Sequence, residues 1–180
     1  MRYSPLQRLA YRTSIAILIC SLSACGFKLR NDYQLAQQLQ QVQLSSSERH
    51  AKLQSTLAQR LIFLDVSVNQ DTSSFRPQVA TLILQPEKLE RKLLSLFPSG
   101  QVAEYELLYQ VTYSYLPADA TGTTEANEFE FVLSREYQDD PDQVLAKSRE
   151  LELILDELRE QAAQRIIRTL SLQTQTNANS

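Results

Sequence analysis

The sequence predicts an α+β fold in which two helices pack on one face of a four-stranded, mostly antiparallel but mixed sheet, in the order β-α-β-β-β-α. Three observations predict it. From Ala103 to Tyr115, apolar and aromatic residues occupy every second position, with Glu104, Glu106, Gln110, Thr112 and Ser114 between them. That period of two belongs to a strand with one packed and one polar face. A second alternating run, Phe129 to Tyr137, follows after a loop that allows antiparallel pairing. Two further stretches, one after Ser45 and one after Pro141, space their apolar residues by three and four, as amphipathic helices do.

The elements follow in order. Val42 and Leu44 alternate with Gln41 and Gln43, giving a short first strand. Ser45, Ser46 and Ser47 offer an N-cap, with Glu48 in the first turn and Leu53, Leu57, Ala58 and Leu61 as the core stripe of a helix of about four turns. His50 sits near its start, on the surface. Phe63 to Val68 ends the helix and runs into extended chain, and a polar loop spans Asn69 to Gln78. The second strand covers Val79 to Phe97: Ala80, Leu82 and Leu84 share one parity, and beyond Pro86 the pair Leu94 and Leu96 opposes Arg91, Leu93 and Ser95. Pro86 cannot donate to a ladder, so it marks a bulge or an edge. Pro98, Ser99 and Gly100 form a tight connection into the third strand, whose packed face is Ala103, Tyr105, Leu107, Tyr109, Val111, Tyr113 and Tyr115. The fourth strand sets Phe129, Phe131, Leu133, Arg135 and Tyr137 against Glu128, Glu130 and Glu136. Asp139, Asp140 and Asp142 then cap a long helix that carries Leu151, Ile154, Leu158, Ala162, Ile166 and Leu170, roughly 40 Å at 1.5 Å per residue. The helix between the first two strands permits their parallel pairing, hence a mixed sheet.

The N-terminus reads as a targeting segment. Arg2, Arg8 and Arg12 precede an apolar stretch, Ile15 to Leu22, with no acidic residue among them. The stretch is about half of the ~20 residues that a membrane-spanning helix needs, so it is expected to be removed. Leu22-Ser23-Ala24-Cys25-Gly26 resembles the bacterial lipobox. Cleavage before Cys25 and a diacylglyceryl group on its sulfur would tether the mature chain without its spanning the membrane. The expected organisation is therefore a signal at 1–24, a lipid-anchored tether at 25–38, one domain at 39–172 and a disordered polar tail at 173–180.

Composition narrows the function classes. Loss of Arg2, Arg8 and Arg12 leaves 15 basic against 21 acidic residues, a net charge of −6, which disfavours a nucleic-acid-binding face. Cys20 leaves with the signal and Cys25 is expected to carry lipid, so no intramolecular disulfide is expected. His50 has no second histidine with which to build a metal site or a hydrolytic triad, and neither a metal nor a catalytic residue is expected. The Asp139, Asp140 and Asp142 group lacks the glycine and distal glutamate of a calcium loop and reads as a helix cap. Glu104 and Glu106 share one strand face and only superficially resemble a glycosidase pair.

Four stretches carry a family resemblance: Cys25-Gly26-Phe27-Lys28-Leu29-Arg30, Ser99-Gly100-Gln101-Val102-Ala103-Glu104-Tyr105, Val144-Leu145-Ala146-Lys147 and Ala162-Ala163-Gln164-Arg165-Ile166-Ile167-Arg168. In this order and spacing the chain resembles the lipopolysaccharide-assembly lipoprotein family LptE. Members of that family often carry a basic residue in the turn where Pro98 stands here. The resemblance implies a non-enzymatic lipoprotein on the periplasmic side of the outer membrane, with no cofactor beyond the lipid on Cys25. It implies the β-barrel LptD and lipopolysaccharide as partners. Lipopolysaccharide is polyanionic, so Arg91, Lys92, Arg135 and Lys147 are the candidate contacts. Each could equally balance a neighbouring Glu90, Glu136 or Glu150. Two other classes remain open: an adaptor lipoprotein of another envelope complex, and an envelope glycan hydrolase using Glu104, Glu106 or Glu128.

Overall fold

A computed structural model describes residues 39–48, 51–71, 76, 78–118 and 126–178. The signal, Cys25, the tether 25–38 and His50 lie outside the described residues. The elements are β1 (Gln41–Ser46), α1 (Lys52–Phe63), β2 (Ser67–Asn69), β3 (Ala80–Leu84), β4 (Lys88–Leu96), β5 (Val102–Leu116), β6 (Asn127–Gln138), a 3-10 turn (Pro141–Gln143) and α2 (Val144–Ala178).

The α+β architecture with two helices and a mixed sheet is as the patterning predicts. β1 pairs in parallel with both β2 and β3, while β3, β4 and β6 all pair antiparallel with β5. Both helices cover the same face. Leu53, Leu57 and Leu61 of α1 and Leu158, Ala162 and Ile166 of α2 share one core with Leu44, Leu82, Tyr113 and Tyr115 of the sheet. The odd-numbered face of β5 is the packed one from Leu107 to Tyr115, as its alternation requires.

The described residues hold six strands where four were expected, for two reasons. The run from Val79 to Phe97 breaks at Gln85-Pro86-Glu87 into β3 and β4, because Pro86 has no N–H for the ladder. The halves lie end to end along one edge of β5, β3 against Tyr113–Leu116 and β4 against Val102–Gln110, while β6 follows the other edge throughout. The extended chain after α1 is the second addition: Ser67–Asn69 joins the free edge of β1 as β2. Within β4 the parity fails after Leu93. A register shift leaves Leu94 out of the ladder and places Ser95 opposite Glu104 and Leu96 opposite Val102. The β4–β5 turn closes with Gly100 N–H donating to Phe97 O at 2.8 Å and Gly100 at φ 84°, a left-handed conformation open to glycine.

Both helix ends differ from expectation. The serines do not cap α1: β1 extends through Ser46, the Ser47 N–H donates to Leu84 O at 3.0 Å, and the helix starts at Lys52 after Ala51, which provides no side-chain cap. The cap comes from across the sheet, where the Glu87 carboxylate accepts the Leu53 N–H at 2.9 Å. The expected disordered tail is corrected in turn. α2 continues through Ala178, about 52 Å at 1.5 Å per residue. No glycine or proline follows Leu170 to stop it, and Ser171 and Thr174 are buried with their hydroxyls donating to carbonyls of the preceding turn. At the other end the aspartates do cap: Asp140 accepts the Asp142 N–H at 3.0 Å and the Gln143 amide at 2.7 Å.

Candidate functional site

The four candidate cations divide between the two faces of the sheet. Arg91 on β4 and Arg135 on β6 both stand opposite Leu107 of β5, so they flank it from either side on the helix-bearing face. Lys147 arrives on the first turn of α2. Its ammonium lies 5.6 Å from the centroid of the Tyr137 ring, and the Tyr137 hydroxyl donates to the Lys147 carbonyl at 2.9 Å. Lys92 stands on the opposite face, paired with Glu106 at 3.4 Å. Three of the four therefore share one side, and Lys92 is apart from them.

Each cation of the cluster is held differently. Arg91 is exposed on the edge strand. Arg135 is bridged to Glu157 of α2, while its Nε is shielded from solvent and meets no acceptor among the described residues. Lys147 pairs with Glu150 at 2.9 Å, and that hydrogen bond raises its pKa. Tyr137 lies beneath them. Burial and then Asp139 push its hydroxyl pKa up, against the opposing pull of Lys147 and Arg91. Leu89 and Leu93, on the same strand parity as Arg91, are 39% and 50% exposed. The cations thus stand beside uncovered apolar surface.

A cleft of about 410 Å³ opens next to this cluster, between Phe97 and Ala103 of the hairpin and Asp140, Gln143, Ala146 and Lys147 at the start of α2. Glu104, Asp139 and Glu150 add negative charge to its wall. Among the described residues no group of three His, Cys, Asp or Glu side chains could hold a metal ion. Glu104 accepts the Ser95 hydroxyl at 2.8 Å and Glu106 is tied to Lys92, so both are engaged on the open sheet face.

Sequence reasoning missed a second polar centre. Glu87, in the break between β3 and β4, caps α1 and accepts Arg159 Nε at 2.9 Å, while Arg159 also donates to Asp156 at 2.8 Å. The Glu87 and Arg159 side chains are only 14% and 13% exposed. Burial works against the Arg159 charge, but the Glu87 and Asp156 contacts outweigh it and raise its pKa. The Tyr109 hydroxyl is buried beside this pair, near enough for both charges to act on it. Burial, reinforced by the Glu87 carboxylate, drives its pKa far above 10.0. No local signal announces this centre, because its members are 22 and 50 positions apart in sequence. Pro86 beside Glu87 marks only the break.

Comparison with known proteins matches the fold and the chain. The family model described as LptE, Lipopolysaccharide-assembly, matches residues 34–170. The LPS-assembly lipoprotein LptE of Yersinia pestis strain Pestoides F is 31% identical over 157 residues, covering 87% of this chain and 72% of that protein. The crystal structure of rare lipoprotein B from Shewanella oneidensis is 38% identical with a TM-score of 0.65, covering 78% of this chain and 99% of that one. The solution structure of lipoprotein B from Nitrosomonas europaea is 26% identical with a TM-score of 0.58, covering 83% of this chain and 93% of that one. This chain belongs to the LptE family of lipopolysaccharide-assembly lipoproteins.

Proposed function

We propose that this protein is a non-enzymatic outer-membrane lipoprotein, anchored through Cys25 on the periplasmic side, that forms a complex with the LptD β-barrel, assists its assembly and binds lipopolysaccharide for insertion into the outer leaflet. The observation that carries the ligand part is the grouping of Arg91, Arg135 and Lys147 on one face next to exposed Leu89 and Leu93. Lipopolysaccharide joins phosphorylated sugars to acyl chains. Guanidinium groups match phosphate by paired hydrogen bonds, and adjacent leucines match hydrocarbon. A largely polar uncovered sheet face is compatible with a water-filled barrel lumen, whose walls are polar.

Two experiments test this reading. Arg91→Asp with Arg135→Asp is expected to lower lipopolysaccharide binding roughly tenfold or more, because reversal replaces attraction with repulsion, while the protein stays folded by circular dichroism with a modest loss of thermal stability from the broken Arg135–Glu157 bridge. Lys92→Asp, on the other face, is expected to change binding little; equal losses for both variants would remove the helix-side site. Purification of the tagged full-length protein from mildly solubilised envelopes is expected to bring down a large outer-membrane barrel at one to one. Recovery alone, or with an inner-membrane complex, would sink the barrel partnership and favour the adaptor class. The hydrolase class finds no support in the placement of its acids: Glu128 pairs in register with Ser114, ten β5 positions from Glu104.

A further inference from the structure

We propose that the exposed tip of α1, Ile62 and Phe63, is a second membrane contact that seats the domain on the same lipid leaflet that holds Cys25; the inference rests on lipidation of that cysteine. Phe63 is 81% and Ile62 59% exposed, although Leu61 before them and Val66 after them are buried at 0% and 2%. Their exposure is built in. Val66 N–H donates to Leu61 O at 3.0 Å, Leu64 N–H to the same carbonyl at 3.0 Å, and Asp65 adopts φ 61°, which closes the helix end as a fixed turn with the pair pointing outward.

The position of this tip identifies what covers it. The chain enters the domain at Leu39, which is buried, and Ser67 N–H donates to Gln40 O at 2.9 Å, so the end of α1 and the point of entry lie at the same end of the fold. Cys25 is fourteen positions before Leu39. That tether spans at most about 50 Å when fully extended. Leu145 and Val144, also exposed, stand at the opposite end of the sheet, roughly 45 Å away along β1 and β5 at ~3.3 Å per residue. A leaflet at that far end would demand a nearly straight tether, whereas one at the entry end leaves the tether slack. Charge agrees: Asp139, Asp140 and Asp142 crowd the far end, and anionic headgroups repel them. At the tip, Arg60 is committed to Glu160 at 2.7 Å and Asp65 is exposed. The attraction is therefore apolar, with an aromatic ring suited to the interface, and with Asp65 beside it the contact does not weaken as salt rises.

The chain contains no tryptophan, so one introduced residue is a unique reporter. Full-length, lipidated Phe63→Trp on vesicles of phosphatidylethanolamine and phosphatidylglycerol with brominated acyl chains is expected to emit at shorter wavelength and lose most of its fluorescence, at low and high salt alike. Leu145→Trp on the same vesicles is expected to keep its emission. An unquenched reporter at position 63 on vesicles that carry the protein overturns the proposal, as does a reporter shielded only when the barrel partner is added. An intact mass without the diacylglyceryl group, together with failure to float with vesicles, overturns the lipidation reading and takes this proposal with it.

Discussion

The two ends of the domain share β5 and α2 but are built differently. At one end β1, β3, α1 and the later parts of β5 and α2 enclose a continuous core in which Leu44, Leu57, Leu61, Leu82 and Leu158 are fully buried. At the other, residues 88–108 and 133–157, only Leu107 and Tyr137 are buried among the described residues, and neither belongs to that core. α1 packs its leucines into the first end and meets the second through the exposed Lys52–Glu152 pair, so β4 is left with one covered edge and little over its packed parity. Stability is therefore concentrated where the chain enters, and the candidate cations sit where packing is thin. A surface that must be covered by something else stays open only if another region carries the fold.

The largest expected effect that would break this comparison comes from Glu87, which lies at the junction of the two ends. Glu87→Ala removes the shielded partner of Arg159, leaving it only the exposed Asp156, and removes the cap of α1, at an expected cost of about 3–5 kcal/mol in urea unfolding. A cost near zero would mean that the junction is not a structural centre. Core truncation sharpens the contrast: Leu57→Ala is expected to cost about 2–5 kcal/mol, and Leu93→Ala, half-exposed on β4, no more than about 0.5 kcal/mol. Comparable losses at both positions would show that the open end is as tightly packed as the closed one.

Alkaline pH probes the closed end selectively. Burial raises the hydroxyl pKa values of Tyr109, Tyr113 and Tyr115 above the ordinary 10.0, and all three lie in or beside its core. A folded-state pKa above the unfolded one stabilises the protein fully below pH 10, and that stability is lost as pH rises beyond it. Urea midpoints are expected to fall between about pH 9 and about pH 11, with a shallower fall for Tyr109→Phe. The smallest effect belongs to the surface rung Lys52–Glu152, at 3.5 Å with both side chains more than half exposed, where Lys52→Ala is expected to cost no more than about 0.5 kcal/mol.

Patterning exposes what depends on neighbours in sequence and hides what depends on neighbours in space. The alternation of β5 and β6 and the helical spacing of α2 are local periods, and each element stands where its period places it. The packed parity of β5 also locates Arg135 and Tyr137 correctly, since β6 pairs with it without a shift. β2 was illegible because three residues carry no measurable period. The Glu87 cap replaces a serine cap that the sequence offers just as plausibly, and only the third dimension decides between them. Arg91 and Lys92 look alike as adjacent cations, yet a strand sends neighbours to opposite faces, so they end up on different sides of the sheet. The polar stretch 173–180 reads as tail by composition, whereas the buried Thr174 belongs to a helix that continues through Ala178.

The gap between β3 and β4 has a mechanical consequence. Opposite it, β5 runs unbroken and β6 is registered along it from Asn127 to Gln138, while Gln85 N–H still reaches Thr112 O at 3.0 Å. β6 thus acts as a splint over a joint. Bending the domain at Pro86 would shear the β5–β6 ladder along its length, so a load applied at the hairpin tip is carried to the end where β1 begins as through a stiff rod rather than absorbed at a hinge.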